Sequence, residues 1–170
     1  EHFAIYLLDV CGHGVGAALL SISAMNVLRS QSLPSTDFRV PAQVLAGLNE
    51  AFQMEKQNNM YFTIWYGVYN TIRRKLAFSS GGHPPAMLVP PPSAGLAPRQ
   101  LRTGGLVIGT MSGVTFKDGE CEVPRGSHRA VTDRGRRVVA PHRVTGDADH
   151  GAPWTAIRRL TRISYSSCRI

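Results

Sequence analysis

The residues best suited to chemistry lie in one run near the start of the chain, Asp9-Val-Cys-Gly-His-Gly-Val-Gly-Ala-Ala18. A carboxylate stands where the apolar run Phe3 to Leu8 ends, and glycines then carry the backbone away from it. This suits a hard cation: Asp9 offers a charged oxygen, and a glycine-rich turn is free to aim a neighbouring carbonyl at the same ion. The same residues also read as a plain strand-to-helix turn with Asp9 as a cap. A third reading belongs to another class. Gly12, Gly14 and Ala17 fit the G-x-G-x-x-A fingerprint of dinucleotide-binding domains, between a strand and a helix as that fingerprint requires. Two features oppose it. Asp9 would set a negative charge beside the pyrophosphate. The acidic residue expected about 20 positions further on, at the end of a second strand, is missing, since Asp37 lies in a loop.

Such residues need rigid elements to hold them. Phe3 to Leu8 reads as a buried strand, and the small, apolar stretch from Val15 to about Arg29 as a helix buried on most sides. After a loop from Ser32 to Arg39, Pro41 opens a second helix with Val44, Leu45, Leu48 and Phe52 on one stripe. Tyr61 to Tyr69 and Lys75 to Ser79 are spaced as an antiparallel hairpin. Gly81-Gly-His-Pro-Pro85 is a sharp turn, Ala86 to Val89 a short strand, and Pro90 to Gly95 a surface loop. Leu106 to Ile108 and Val114 to Val123 offer further strand. One strand, two helices and then strands in succession predict an α+β fold with antiparallel sheet, not repeating βαβ units.

Composition narrows the class. The chain of 170 residues is the size of one domain, and 43% hydrophobic with 18% charged residues is ordinary for a globular one. No apolar stretch approaches the roughly 20 residues that cross a membrane, and no basic leader precedes Phe3. The absent initiator Met reads as a sign of a longer parent protein. Cys11, Cys121 and Cys168 show no CxxC spacing and cannot all pair, which points to a reducing cytoplasm. The net charge of +8 is unevenly spread: residues 1–126 carry 10 Lys and Arg against 8 Asp and Glu, whereas residues 127–170 carry 9 Arg against 3 Asp. The basicity belongs to the tail and gives a nucleic-acid reading no support in the rest.

Several stretches together resemble one family. Asp9 to Ala18 is similar to the D-V-S-G-H-G-x-x-A-A signature of PPM-type (protein phosphatase 2C-like) enzymes, in the bacterial branch of sporulation and stress-sigma-factor regulators. Leu48-Asn49, Tyr61-Phe-Thr-Ile-Trp-Tyr-Gly-Val68 and Ser80-Gly-Gly-His-Pro-Pro85 follow in the same order, the last two resembling F-x-T-x-x-Y-G and A-G-H-P-P. Leu106-Val-Ile-Gly109 is similar to an L-x-L-G turn, so the match runs over residues 3–126. The resemblance implies an α-β-β-α sandwich with two Mn2+ or Mg2+ ions at one end of paired sheets. It implies hydrolysis of phosphoserine or phosphothreonine on a regulatory protein such as an anti-sigma-factor antagonist, with a sensory or receiver domain fused upstream. Asp9 would bridge both ions, the carbonyl of Val10 would complete one shell, and His13 would donate a proton or order water. His83 would shape a turn near the site; Thr63 and the aromatic residues Tyr61, Trp65, Tyr66 and Tyr69 would pack the sheet. Cys11 stands where Ser is usual.

Departures accompany the match. The family's earlier G-D-x-Y/F-D segment is absent, so the domain is expected to be incomplete at its N-terminus. Its later T-D-G, reached through an apolar strand, is also not found. Asp133 in Thr-Asp-Arg-Gly follows no apolar strand, and Asp147 and Asp149 have no better claim to a metal. From residue 127 onward, nine arginines and no lysine appear without strand alternation or helical stripe. Residues 127–170 therefore read as a tail outside the fold: a basic arm of a non-catalytic binding module, or out-of-frame translation. One carboxylate cannot hold two divalent ions, so little or no activity is expected of the chain on its own.

Overall fold

Two neighbouring strands set the layers. A computed structural model describes residues 1–133, 136–139 and 164–169, and the side chains of residues 1–127. In it, β1 (His2–Val10) and β2 (Phe62–Asn70) run antiparallel, in register from His2 opposite Asn70 to Val10 opposite Phe62. Alternate residues of a strand face opposite ways. Ala4, Tyr6, Leu8, Phe62, Ile64, Tyr66 and Val68 therefore share one face, and two helices bury it, α1 (Val15–Ser30) and α2 (Pro41–Ala51). Leu7 and Trp65 point the other way, into a second cluster with Ala86, Leu88 and Leu101.

That second cluster lies between two sheets. The first has the order β6-β3-β2-β1-β9, with β3 at Lys75–Gly81, β6 at Gly119–Glu122 and β9 at Ser164–Arg169. The other has the order β5-β4-β7-β8, with β4 at Ala86–Val89, β5 at Arg99–Leu101, β7 at His128–Asp133 and β8 at Arg136–Val139. The Trp65 indole Nε1–H donates to the Leu101 carbonyl at 3.1 Å, tying sheet to sheet. The next residue does the same for the helical side: the Tyr66 hydroxyl donates to the Phe38 carbonyl at 3.0 Å. Gly67 is required beside them, because a Cβ there would lie 2.5 Å from the Trp65 ring.

The layering is helices, sheet, sheet, the α+β class that the sequence predicts; the second helical layer of the expected sandwich is not among the described residues. The first strand, both helices and the hairpin of β2 and β3 lie where the sequence puts them. Three details differ. α1 buries a single stripe, Ala17, Leu20, Ala24 and Leu28, and leaves Val15 76%, Leu19 59% and Ile22 51% exposed, so its apolar composition does not mean burial on most sides. Leu106 to Ile108 forms no strand: Ile108 makes an isolated bridge to Phe62, and of residues 114–123 only Gly119–Glu122 is strand. β5 was not expected, being too short at three residues to show alternation. Beyond residue 126, where the sequence pattern stops, backbone pairing continues. β7 runs antiparallel to β4 from Ala86 opposite Val131 to Val89 opposite His128, and β9 runs antiparallel to β1. Ladder hydrogen bonds join main chains and do not need an alternating sequence.

α2 is fastened at both ends by distant residues. Its N-cap, Val40, has no side chain that can cap; instead the Ala42 N–H donates to Asp118 Oδ1 at 2.7 Å. Near its other end the fully buried Asn49 accepts from the Gly109 N–H at 2.9 Å and donates to the Met111 carbonyl at 2.8 Å. Replacing Asp118 by Ala should cost about 1 kcal/mol in a urea titration, the usual value of a helix cap. Asp118→Asn keeps an acceptor and should cost far less. Burial holds the Asp118 carboxyl above its ordinary value of 3.8, against the opposing Ala42 hydrogen bond. With the folded value raised, its contribution to stability is fully present below 3.8 and is lost as pH rises through the folded value. Asp118→Asn should remove that part of the stability–pH slope.

Candidate functional site

β1 ends at Val10, and the chain turns into α1 through Gly12 at φ 86° and Gly14 at φ 87°, a region that favours glycine. Cys11 pins the turn to the chain before β2: its N–H donates to the Tyr61 carbonyl at 2.9 Å, and its Sγ accepts from the Tyr61 N–H at 3.1 Å. Asp9 and Val10 are half-buried at the strand end, while His13 is exposed in the turn. The sequence-predicted trio therefore sits together at one end of the first sheet. Asp9 is in phase with Leu7, so it belongs to the face that meets the second sheet.

Two further residues reach this end. Thr63 lies opposite Asp9 in the register of β1 and β2, in phase with Trp65. Its Oγ1 is 2.8 Å from His83 Nδ1 and 3.5 Å from the Asp9 carbonyl. His83 is buried, in the turn that carries the chain from β3 in one sheet to β4 in the other. That turn is tightly held. Ser80 Oγ donates to the His83 carbonyl at 2.9 Å, and the Gly82 N–H donates to the Gly105 carbonyl at 3.1 Å. Gly82 sits at φ 68°, where a Cβ would lie 2.4 Å from Val107 Cγ1, so no other residue fits without displacement. His83 thus shapes a turn, as the sequence suggests. Its contact with Thr63 was not foreseen, although both belong to the motif stretches Tyr61–Val68 and Ser80–Pro85.

The donor set can be weighed against a metal centre. Asp9 brings an anionic oxygen and Val10 a backbone carbonyl, the right kind of ligand for a hard cation. In number they fall short: among the described residues no group of three or more His, Cys, Asp or Glu could hold a metal. The backbone of Asp133 lies in β7 opposite Arg136, with its side chain outside the described residues, as are Asp147 and Asp149 altogether. A groove of about 600 Å³ beside α2, lined by Pro34, Thr36, Gly47 and Glu50, shares no residue with the Asp9 cluster.

The dinucleotide reading of Gly12, Gly14 and Ala17 does not survive the fold. That fingerprint works within a parallel βαβ unit. Both neighbours of β1 are antiparallel to it, and α1 leads into α2 instead of a second strand.

Comparison with known proteins agrees with this architecture. Residues 1–130 match the family described as stage II sporulation protein E (SpoIIE). The chain is 29% identical over 126 residues to phosphoserine phosphatase RsbU of Bacillus subtilis (strain 168), covering 74% of this chain and 36% of that protein. It therefore spans just over a third of that relative's length. Among solved structures, the PP2C phosphatase domain of SpoIIE from Bacillus subtilis, solved with a fragment of its regulatory domain, superposes with a TM-score of 0.62 at 15% identity, over 76% of this chain and 36% of that one. RsbX in complex with magnesium gives 0.59 at 18% identity, over 78% and 61%. These structures share the fold. With the family matched over residues 1–130, the chain belongs to the stage II sporulation protein E (SpoIIE) family.

Proposed function

We propose that the protein containing this chain is a metal-dependent phosphatase that hydrolyses phosphoserine or phosphothreonine on a regulatory protein. An anti-sigma-factor antagonist is the proposed substrate. The observation that carries the reading is Asp9, a half-buried carboxylate at a strand end on the inter-sheet face, in a chain of this family. The relative RsbU is named a phosphoserine phosphatase, which supports the substrate class. We further propose a sensory or receiver domain upstream and a cytoplasmic setting, in keeping with the free thiols of Cys11 and Cys121.

Asp9 and the Val10 carbonyl are the ligands this chain would give to a pair of Mn2+ or Mg2+ ions in the complete domain. Such a pair supplies charge compensation for phosphoryl oxygens and an acidified water for in-line attack. Among the described residues no group of three or more His, Cys, Asp or Glu could hold a metal, and we expect the chain alone to turn over little or no substrate. To His13, exposed in the turn, we assign the protonation of the departing serine or threonine oxygen or the ordering of water beside it.

The intact gene product should dephosphorylate a phosphoserine peptide with Mn2+ and stop in excess chelator. Turnover that persists without metal would reject the reading. Asp9→Asn should lower kcat by orders of magnitude while the circular dichroism and melting temperature hold. A loss of less than tenfold, about 1.4 kcal/mol in barrier, would instead make Asp9 a structural cap.

A further inference from the structure

The hydroxyl of Thr63 has a single proton to share between two neighbours. Asp9 O is a carbonyl and can only accept, at 3.5 Å; His83 Nδ1, at 2.8 Å, either donates or accepts according to tautomer. Both contacts are hydrogen bonds at once under one arrangement only. Thr63 must donate to the Asp9 carbonyl, and His83 must carry its proton on Nδ1 and donate to Thr63. We propose that His83 is a positioning residue that works in this way. Through the Thr63 hydroxyl it fixes the Asp9 carbonyl, and with it the strand end from which the Asp9 carboxylate and the Val10 carbonyl emerge.

The surroundings make His83 a firm anchor. Its own carbonyl accepts from Ser80 Oγ, and the Ser80 N–H donates to Thr103 Oγ1 at 2.8 Å. The preceding Gly82 is wedged against Val107, and Pro84 and Pro85 follow. Thr63 is held as well: the next residue, Ile64, bridges to Gly82, and the one before, Phe62, exchanges backbone hydrogen bonds with Ile108. β1, by contrast, ends at Val10 and leads into an exposed turn, residues 12 to 14, where a Cβ built on Gly12 or Gly14 would meet nothing within 4 Å. The tightly held β3–β4 turn thus steadies the end of a strand that leads into an exposed turn pinned only at Cys11 among the contacts named above. The hydroxyl-to-ring contact is the step between them.

This inference rests on the phosphatase reading for its meaning but not for its test. In the full-length protein, nitrogen-15 NMR of the histidine side chains should find His83 protonated on Nδ1, and the Asp9 carbonyl and Val10 amide shifts should move in Thr63→Val but not in Thr63→Ser. A ring protonated on Nε2 alone, or shifts that stay put in Thr63→Val, would overturn the proposal whether or not the protein is a phosphatase. With a phosphoserine substrate and Mn2+, Thr63→Val and His83→Ala should each lower kcat about tenfold or more, with KM for the phosphoprotein little changed, the usual size of an effect transmitted through a ligand's partner. Thr63→Ser, which keeps the hydroxyl, should recover activity to within about threefold of the original. A loss in Thr63→Ser with Thr63→Val unaffected would mean that the methyl group, and so packing alone, matters, and would overturn the proposal. Should Asp9→Asn abolish turnover while Thr63→Val leaves it intact, the phosphatase reading would stand and the positioning role would fall.

Discussion

Everything described here hangs on two consecutive side chains of one central strand. Trp65 and Tyr66 point to opposite faces of β2, as pleating demands, and each ends in a hydrogen-bond donor that reaches the main chain of another layer. Large aromatic side chains with a polar tip suit this use, since the ring fills the gap between layers and the tip finds an acceptor beyond it. Trp65 stacks near Phe78 with ring centres 6.0 Å apart, and Tyr66 near Tyr6 at 6.2 Å. This pair links the first sheet to the layer on either side of it. Asp9 lies two residues along from Leu7, the partner of Trp65, and on the same face.

Away from the strands, loops take their places from buried polar groups. Asn49 has no exposure, and its amide matches one N–H and one carbonyl of residues 109–111. An amide offers a donor and an acceptor in one fixed plane, so it holds a loop without regular pairing. Gly109 completes the fit: at φ 96° it passes so near the Phe52 carbonyl that a Cβ would lie 2.3 Å from it. The segment thus held supplies Ile108 to Phe62 and Val107 to Gly82, on either side of the Thr63–His83 contact. Helix packing, a loop and the candidate site form one continuous set of contacts.

The sequence made some of this legible and hid the rest for definite reasons. β1, α2 and the β2–β3 hairpin show because burial of one face imposes a period on apolar residues. Leu106 to Ile108 misled because its apolar residues pack singly, Ile108 in the core and Val107 on a glycine, without a ladder. α1 misled in the opposite sense: Val15, Leu19 and Ile22 look like core residues, yet nothing described covers them. At the site, Asp9, Val10 and His13 were found because they are contiguous. The partnership of Thr63 with His83 depends on where a hairpin and a sheet-crossing turn bring distant residues, and no spacing rule contains that. The strands after residue 126 form by main-chain pairing, which leaves little trace in side-chain pattern.

The central place of β1 has a kinetic side. Phe3 is flanked by Tyr69 in one neighbouring strand and by Arg169 in the other. During synthesis at ~5–20 residues per second, β1 would leave the ribosome on the order of ten seconds before its second neighbour existed. In that interval one edge of an apolar strand stays open, and closing it last means closing a loop that spans nearly the whole chain. Partners so far apart in sequence slow the final step of folding. The chain is most exposed to mispairing while it is still being made.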